Sequence, residues 1–401
     1  MRVLIIHNSG DSALPSGEAA VVNNEVEALC EKGMTVHLHV MNNDSIHRLF
    51  SIKTWIAGLN IFWSYASFRR TEALIEKHKP DIVHFHGVLP LLTASAFYAC
   101  KTRGVPVVQT LHNFRWFCVE GGLYSNDFYC EECLKRGVFR GITKRCSRGS
   151  MIISALLSLN NAIYVKKRKL FNLVDRFIAV SNFLRDKHIE AGFPKDKITV
   201  KYNGIQLHKV PKIDTATNQK SGVAFAGRLT SAKGTAILKE IITGLGHIPF
   251  NIIGDGPDYA HLRGYCENGN FKNVRFMGRV EPSLVYEIFS RSACVVVPSL
   301  FAETFGLVAA EAMACGTPVV ASKIGGLKEI VEQSGGGITV DPASPLEFVP
   351  TIKSIIGSPK KIEEMGSSGR NFVDRHLAMD VSINRLVDIY SQVIDKEGKV
   401  L

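Results

Sequence analysis

No stretch of this 401-residue chain approaches the ~20 consecutive apolar residues that a membrane-spanning helix needs, although 46% of its residues are apolar. The opening run Met1-Arg-Val-Leu-Ile-Ile6 is too short for a signal peptide, and no small-residue cleavage site follows it. It reads as a first strand, and the expectation is a cytosolic protein. Internal repeats and low-complexity tracts are missing as well. No Asp-x-Asp occurs, so a paired carboxylate clamp for a catalytic metal is not expected. No Gly-x-Ser-x-Gly elbow occurs, which removes support for a Ser-His-Asp arrangement. Nor does any strand interleave aromatic and basic residues as single-stranded nucleic acid binders do, despite a formal net charge of +11.

What is present is regular. Continuous apolar runs alternate with amphipathic helical patterns from end to end, which argues for α/β architecture with parallel sheets covered on both faces. At this length two domains are expected. Val3–Ile6, Val36–Val40, Ile82–Phe85, Val107–Thr110 and Arg176–Val180 read as strands of a first sheet. Val223–Ala226, Phe250–Ile253, Val274–Met277, Cys294–Pro298, Pro318–Ala321 and Gly337–Val340 read as strands of a second. The polar stretch Gln206–Lys220 reads as a linker. The spacing predicts a last helix over Ala378–Ile394. The expected division is therefore 1–205, 206–377 and a terminal helix in 378–401.

Two constellations carry chemistry. Glu303 and Glu311 bracket Glu303-Thr-Phe-Gly-Leu-Val-Ala-Ala-Glu311, behind the apolar strand pattern Ala293–Pro298. Phe305 to Cys315 reads as a helix stopped by Gly316 and Pro318. Glu303 then lies in the strand-to-helix loop and Glu311 about two turns into the helix. Amides of Phe305, Gly306 and Leu307 open that helix, and such an end attracts anions. A carboxylate beside an anion site suits a ligand with both hydroxyls and phosphate, as in a sugar nucleotide; the plain alternative is two solvated charges. Upstream, Arg228 and Lys233 leave the strand Val223–Ala226 at its carboxyl end, where open parallel sheets bind ligands. A guanidinium fork and an ammonium both suit a diphosphate, though they are also ordinary surface cations.

In order and spacing, these pieces resemble the retaining glycosyltransferases of family 4. The series is Gly227-Arg228-Leu229 with Lys233-Gly234, Gly254-Asp-Gly-Pro257, Gly278-Arg-Val280, the Glu303/Glu311 stretch, Gly316-Thr-Pro-Val-Val320 and Gly325-Gly326. Pro80-Asp-Ile-Val-His-Phe-His86, Val105–His112, Ala179–Asn182 and Tyr202-Asn-Gly204 continue it through the N-terminal half. The resemblance implies a GT-B fold, two Rossmann-like domains facing a central cleft, with an N-terminal acceptor domain and a C-terminal nucleotide-sugar domain. The final helix would cross back to the first domain. It further implies that Arg228 and Lys233 hold the donor diphosphate and that Glu303 binds the sugar hydroxyls beside the reacting carbon. Phe305, Gly306 and Leu307 would face sugar and phosphates, Glu311 the ribose, and the backbone at Val280 the base. His112 would contact the transferred sugar. Retention would follow a front-face route in which the leaving phosphate helps deprotonate the acceptor, with no enzyme nucleophile and no catalytic metal. Uridine is the most frequent base in the family, with guanosine the alternative. The family's usual two glycines in the first loop are here Ser16-Gly17, and Gly17 would keep the close backbone approach. An epimerase or phosphorylase on the same scaffold, or a non-catalytic glycan-binding protein, are the other readings; a binding module needs no diphosphate clamp.

Charge is unevenly shared. Residues 1–205 hold 27 Lys+Arg against 17 Asp+Glu, and the remainder 21 against 20. Lys166-Lys-Arg-Lys169 follows the apolar pattern Met151–Val165, and Arg69-Arg70 follows the apolar, aromatic Trp55–Phe68. Such pairings suit an anionic membrane surface, on the inner face of the cytoplasmic membrane, or equally a core helix with a solvated basic end. Nucleic acid is not expected as a partner.

Four of the nine cysteines crowd an insert at 113–150: Cys118, Cys130, Cys133 and Cys146. Their C-x11-C-x2-C-x12-C spacing suits tetrahedral zinc in a loop with little core of its own; free thiols or redox disulfides are the alternatives. The stretch His112-Asn-Phe-Arg-Trp-Phe-Cys118 and these cysteines look similar to family members that build bacterial surface polysaccharide, which favours a glycan or lipid-linked glycan acceptor. His84 and His86 read as packing or cleft-lining residues rather than ligands.

Overall fold

The computed structural model describes residues 1–9, 17–42, 61–88, 91–211 and 220–397. Ser16 and the loop before it, Trp55, and residues 212–219 of the expected linker lie outside the described residues. The chain divides into two compact units. The first is Met1–Ser125 with Cys130–Gly204 and Asp380–Leu401; the second is Asn126–Tyr129 with Ile205–Met379.

The first unit is built on a six-stranded parallel sheet. Its strands are β1 (Arg2–Ser9), β2 (Thr35–Asn42), β3 (Ile82–His86), β4 (Val107–Leu111), β5 (Arg176–Ala179) and β6 (Ile198–Val200), in the order β2-β1-β3-β4-β5-β6. β1, β3 and β4 are buried almost throughout, as continuous apolar runs in a sheet covered on both faces should be, whereas β2 is a half-exposed edge. The sixth strand was not legible in the sequence. It has three residues and follows the polar turn Lys195–Lys197, so no hydrophobic pattern announces it. The helix Met379–Glu397 belongs to this unit from Asp380 onward and buries Ile383, Leu386, Ile389 and Tyr390.

The second unit carries β7 (Val223–Ala226), β8 (Phe250–Ile253), β9 (Val274–Gly278), β10 (Cys294–Val297), β11 (Val319–Ser322) and β12 (Gly337–Val340). Their order is β9-β8-β7-β10-β11-β12, all parallel. This is the dinucleotide-binding order, and its direction reverses between β7 and β10, which opens a crevice at their carboxyl ends. Phe225, Leu238, Ile241, Ile252, Val296, Phe348 and Ile352 form the core beneath that crevice. Each such side chain contributes roughly 1.5–3 kcal/mol on burial, so the strand ends rest on a rigid base.

Among the described residues no helix is long and apolar enough to cross a membrane.

Candidate active site

In the second unit, the loops after β7 and β10 meet at the switch point. After β7 the chain turns through Gly227 and Arg228, makes one 3-10 turn at Ser231–Lys233, and enters the helix Thr235–Leu245. Gly234 has φ 81°, and a Cβ there would lie 1.9 Å from the Pro298 carbonyl oxygen, so only glycine lets the two loops approach so closely. Leu300 N–H donates to the Ala232 carbonyl at 2.8 Å and ties the loops together. Lys233 Nζ consequently reaches Glu303 Oε1 at 2.8 Å, and Ser299 Oγ donates to the same oxygen at 2.6 Å. The Lys233 ammonium also sits 4.7 Å from the centre of the Phe301 ring.

The backbone of Glu303 is pinned from a third side. Gly326 N–H donates to its carbonyl at 2.7 Å, and a Cβ at Gly325 would come within 2.4 Å of that oxygen. The glycine pair after β11 thus holds the carboxylate-bearing loop in place.

The helix behind this loop is Leu307–Ala314, two residues shorter at its start than the sequence pattern suggests. Gly306 takes φ 93°, outside helical space, and serves as N-cap, so Phe305 and Gly306 form the approach to the helix. The first-turn amides, beginning with Leu307, have no partners within the helix. Glu311 is half-buried in the second turn, and its side chain makes no hydrogen bond or ion pair among the described residues. Burial pushes its carboxyl up to about 7. Arg228 is exposed and likewise unpaired among the described residues. Val280 follows Gly278 at the end of β9, the edge strand on this side of the crevice. The structure therefore gathers Lys233 and Glu303 in direct contact, and sets Arg228, Leu307 and Glu311 on neighbouring elements of one unit.

In the first unit Gly17 is exposed and opens the helix Gly17–Glu31. His112 follows β4 and is half-buried. Its Nε2 lies 2.9 Å from His86 Nδ1, at the end of β3. Behind them lies a buried polar cluster that motif reading passes over. Lys201 Nζ donates to Glu25 Oε1 at 2.5 Å and to Ser382 Oγ at 3.1 Å. Glu25 Oε2 lies 3.5 Å from His86 Nε2. His84 is held between Tyr390 Oη (2.6 Å) and Thr110 Oγ1 (2.7 Å). Of the two readings, packing or cleft-lining, full burial of His84 and His86 fits packing, and they also carry this network. Burial lowers the His84 and His86 imidazoles well below their ordinary range and brings His112 down to about 3. Burial alone would raise Glu25, but the surrounding charges, Lys201 foremost, and the Lys201 hydrogen bond together outweigh it and hold the carboxylate below its usual range. Glu18, next to Gly17, was also missed. Burial raises it to about 7, against the opposing charge of Arg115. The available sequence signal was the His84-x-His86 pair at a strand's carboxyl end, combined with a Glu inside an otherwise apolar helix face.

Glu25, His84 and His86 have ligand atoms within 4.8 Å of one another, a spacing that suits a cation. Lys201 already holds Glu25 Oε1, and hydrogen bonds to Tyr390 and Thr110 hold both ring nitrogens of His84, whereas Glu25 Oε2 and His86 Nε2 have no hydrogen-bond partner among the described residues.

Cys118, Cys130, Cys133 and Cys146 are free thiols, not disulfides. Their charges would interact in a chain from Cys118 through Cys133 to Cys130 and Cys146. They do not form a compact ligand set, since the described group with ligand atoms that close is Glu25, His84 and His86. The insert also has more core than its composition suggests. Phe114, Trp116, Phe117, Val119, Leu123 and Val138 are all buried, and Phe114 and Phe117 pack on His188.

A dinucleotide-type sheet with a cation–carboxylate pair at its switch point, preceded by a second parallel-sheet unit, defines the GT-B class. Residues 15–209 match the model described as Glycosyltransferase Family 4, and residues 210–372 match Glycosyl transferases group 1. The two matches abut, and the chain is a GT-B glycosyltransferase. It is similar to an uncharacterized glycosyltransferase of Methanocaldococcus jannaschii, with 24% identity over 90% of this chain and 95% of the relative. Among solved structures it resembles Anabaena HepE in complex with UDP and glucose, at 18% identity and TM-score 0.68, covering 98% of this chain and all of that one (100%). It also resembles the lipopolysaccharide outer core galactosyltransferase WaaB, at 16% identity and TM-score 0.62, covering 98% and 100%.

Proposed function

We propose that this glycosyltransferase moves a sugar from a UDP-sugar, with retention of anomeric configuration, to a glycan or lipid-linked glycan acceptor in bacterial surface-polysaccharide synthesis. The observation that carries the donor assignment is the Lys233–Glu303 pair at the switch point, with Arg228 exposed and unpaired among the described residues on the same loop as Lys233. Arg228 and Lys233 neutralise the diphosphate, so the leaving group departs without a catalytic metal. Glu303, bound by both Lys233 and Ser299, is suited to holding sugar hydroxyls and poorly suited to attack at carbon. That favours the front-face route, in which the acceptor oxygen forms its bond on the side the phosphate leaves and gives its proton to that phosphate. Gly306 and Leu307, with Phe305 before them, face the sugar and phosphates; Glu311 accepts from the ribose hydroxyls; backbone near Val280 meets the base. His112 contacts the transferred sugar, and Gly17 allows the phosphate close to the backbone. The bound UDP and glucose in the Anabaena neighbour, and the galactosyltransferase activity named for WaaB, support the same reading.

Two accessory features belong to it. A structural zinc would be held by Cys118, Cys130, Cys133 and Cys146; the Gly121 amide already donates to the Cys118 sulfur at 3.4 Å, as donors do around metal-bound thiolates. A peripheral contact with anionic lipid is made by the exposed Phe139, Met151, Ile152 and Leu159, amid exposed Arg140, Lys144, Arg145, Arg148 and Lys166–Lys169.

A thermal-shift screen against UDP, GDP, ADP and their sugar conjugates, without added metal, tests the donor. Selective stabilisation by uridine conjugates is expected. No shift with any nucleotide would overturn the assignment, and turnover of the donor without an acceptor would favour an epimerase instead.

A further inference from the structure

With its imidazoles uncharged, as burial keeps them, the buried cluster beneath His112 has one arrangement of protons that leaves no repulsive contact. Glu25 is ionised against Lys201, 2.5 Å away. Its second oxygen, Oε2, faces His86 Nε2 at 3.5 Å, and neither atom has another hydrogen-bond partner among the described residues. If His86 Nε2 were bare, two lone pairs would confront each other in a site closed to water, at the cost of an unsatisfied buried pair. Nε2 therefore carries the proton. His86 is neutral, so its Nδ1 is an acceptor, and His112 Nε2, 2.9 Å away, must be the donor. The remaining nitrogen of His112, Nδ1, is then a lone pair with no protein donor among the described residues. The other groups around the pair agree with this assignment. His7 Nδ1 lies 3.4 Å from the His86 carbonyl, which can only accept. His84 is occupied by Tyr390 and Thr110, and Glu18 lies toward His7, 3.7 Å from its Nδ1.

We propose that Lys201, Glu25 and His86 form a positioning chain that locks His112 in its Nε2–H tautomer and presents Nδ1 as a hydrogen-bond acceptor for a sugar hydroxyl. The inference rests on the reading that His112 touches the transferred sugar, and it adds the polarity of that contact. His112 selects a hydroxyl that donates, and it neither donates to the substrate nor takes up charge. A hexose lacking that hydroxyl, or bearing an acceptor-only group there, leaves a polar nitrogen unmatched and is turned over more slowly.

The test is a two-bond proton–nitrogen correlation on full-length protein labelled with nitrogen-15 histidine at pH 7.5, with His112 assigned by the signal lost in His112→Asn. The expected wild-type pattern is the Nε2–H tautomer. In His86→Phe, His112 is expected to populate the Nδ1–H form, and transfer from UDP-sugar should fall about tenfold, the worth of one neutral hydrogen bond. His86→Asn, whose side-chain oxygen can replace the lost acceptor, should restore much of both. A wild-type His112 that is Nδ1–H or imidazolium overturns the chain and needs no variant to fold. So does an unchanged tautomer in folded His86→Phe. These spectra are read without activity, whereas failure of the sugar-transfer reading would show instead in the nucleotide screen.

Discussion

Lys233 and Glu303, 70 residues apart in the chain, share a 2.8 Å hydrogen bond across the two loops that flank the sheet's reversal. Their contact depends on glycine at 234, because any side chain there would collide with the Pro298 carbonyl. The pair sets a cation for phosphate and a carboxylate for hydroxyls side by side, so a ligand binding both must carry the two groups on adjacent atoms. A sugar 1-phosphate unit does.

Replacing Glu303 with Ala should lower transfer by at least ~100-fold, since positioning and charge stabilisation act at the reacting carbon. Circular dichroism should be unchanged and the melting temperature near that of the wild type, because the side chain makes its bonds at the edge of a crevice. Full activity in the folded variant would remove Glu303 from the mechanism.

Glu311 ties donor affinity to pH. Burial raises it to about 7, so in the free protein it takes up a proton as pH falls through neutrality. The folded state holds this proton where the unfolded chain does not, and the carboxylate's cost to stability therefore disappears on acidification. A ribose contact needs the ionised form as acceptor. Affinity for UDP-glucose, whose diphosphate has no proton to lose near neutrality, should rise from pH 6 to pH 8 by up to about tenfold per unit below the transition. Glu311→Gln should bind more weakly and show no such step by calorimetry.

Much of the fold was legible because the strands of both sheets are short apolar runs bounded by glycine, proline or polar turns, and Val223–Ala226 and Phe250–Ile253 fall where that pattern places them. Ile198–Val200 was not, since three residues carry no period. Gly306 shortened the expected helix because a left-handed residue cannot be told from a helical one by spacing. The residues of the second unit proposed for the donor were readable as motifs, lying in the loops or the first helical turns that follow Ala226, Gly278 and Val297. The network of Glu25, His86 and Lys201 was not, because its members come from sequence separations as large as 176 residues and their charges match only once the sheet is assembled.

That network makes Lys201 a stability residue. Lys201→Met would strand an ionised Glu25 in the core, at a cost of about 3–5 kcal/mol. The double variant with Glu25→Gln should recover part of it. Glu25 is held below the usual carboxylate range, so its contribution is fully present above the ordinary value near pH 4 and is lost as pH falls through the lowered one. Urea unfolding at pH 7 should show the single variant's deficit, with a smaller deficit below that window. Equal stability of wild type and Lys201→Met at pH 7 would contradict the buried pair.

The exposed apolar side chains of the helix Met151–Asn161 predict a lipid contact. Ile152 and Leu159, two turns apart on one side of it, are 54% and 46% exposed. The protein should co-sediment with phosphatidylglycerol vesicles and much less with phosphatidylcholine, and salt should weaken the association. Ile152→Asp with Leu159→Asp should release it without altering the UDP-induced shift. Equal affinity for both vesicle types would rule out the charge-assisted contact.

The cysteine insert offers the sharpest choice between a metal and an apolar core. Its buried Phe114, Trp116 and Phe117 supply order without any ion, whereas the Gly121 amide donated to Cys118 is of most use to a thiolate. Burial pushes the Cys118 thiol up to about 12, so without a cation it stays protonated and that amide faces a weak acceptor. Zinc would resolve this by displacing the protons. Elemental analysis of protein purified without chelator should find about one zinc per chain, and Cys130→Ser with Cys133→Ser should lose it together with several degrees of melting temperature. If the metal is absent and the double variant melts with the wild type, the aromatic core alone holds the insert, and the four cysteines are ordinary buried thiols.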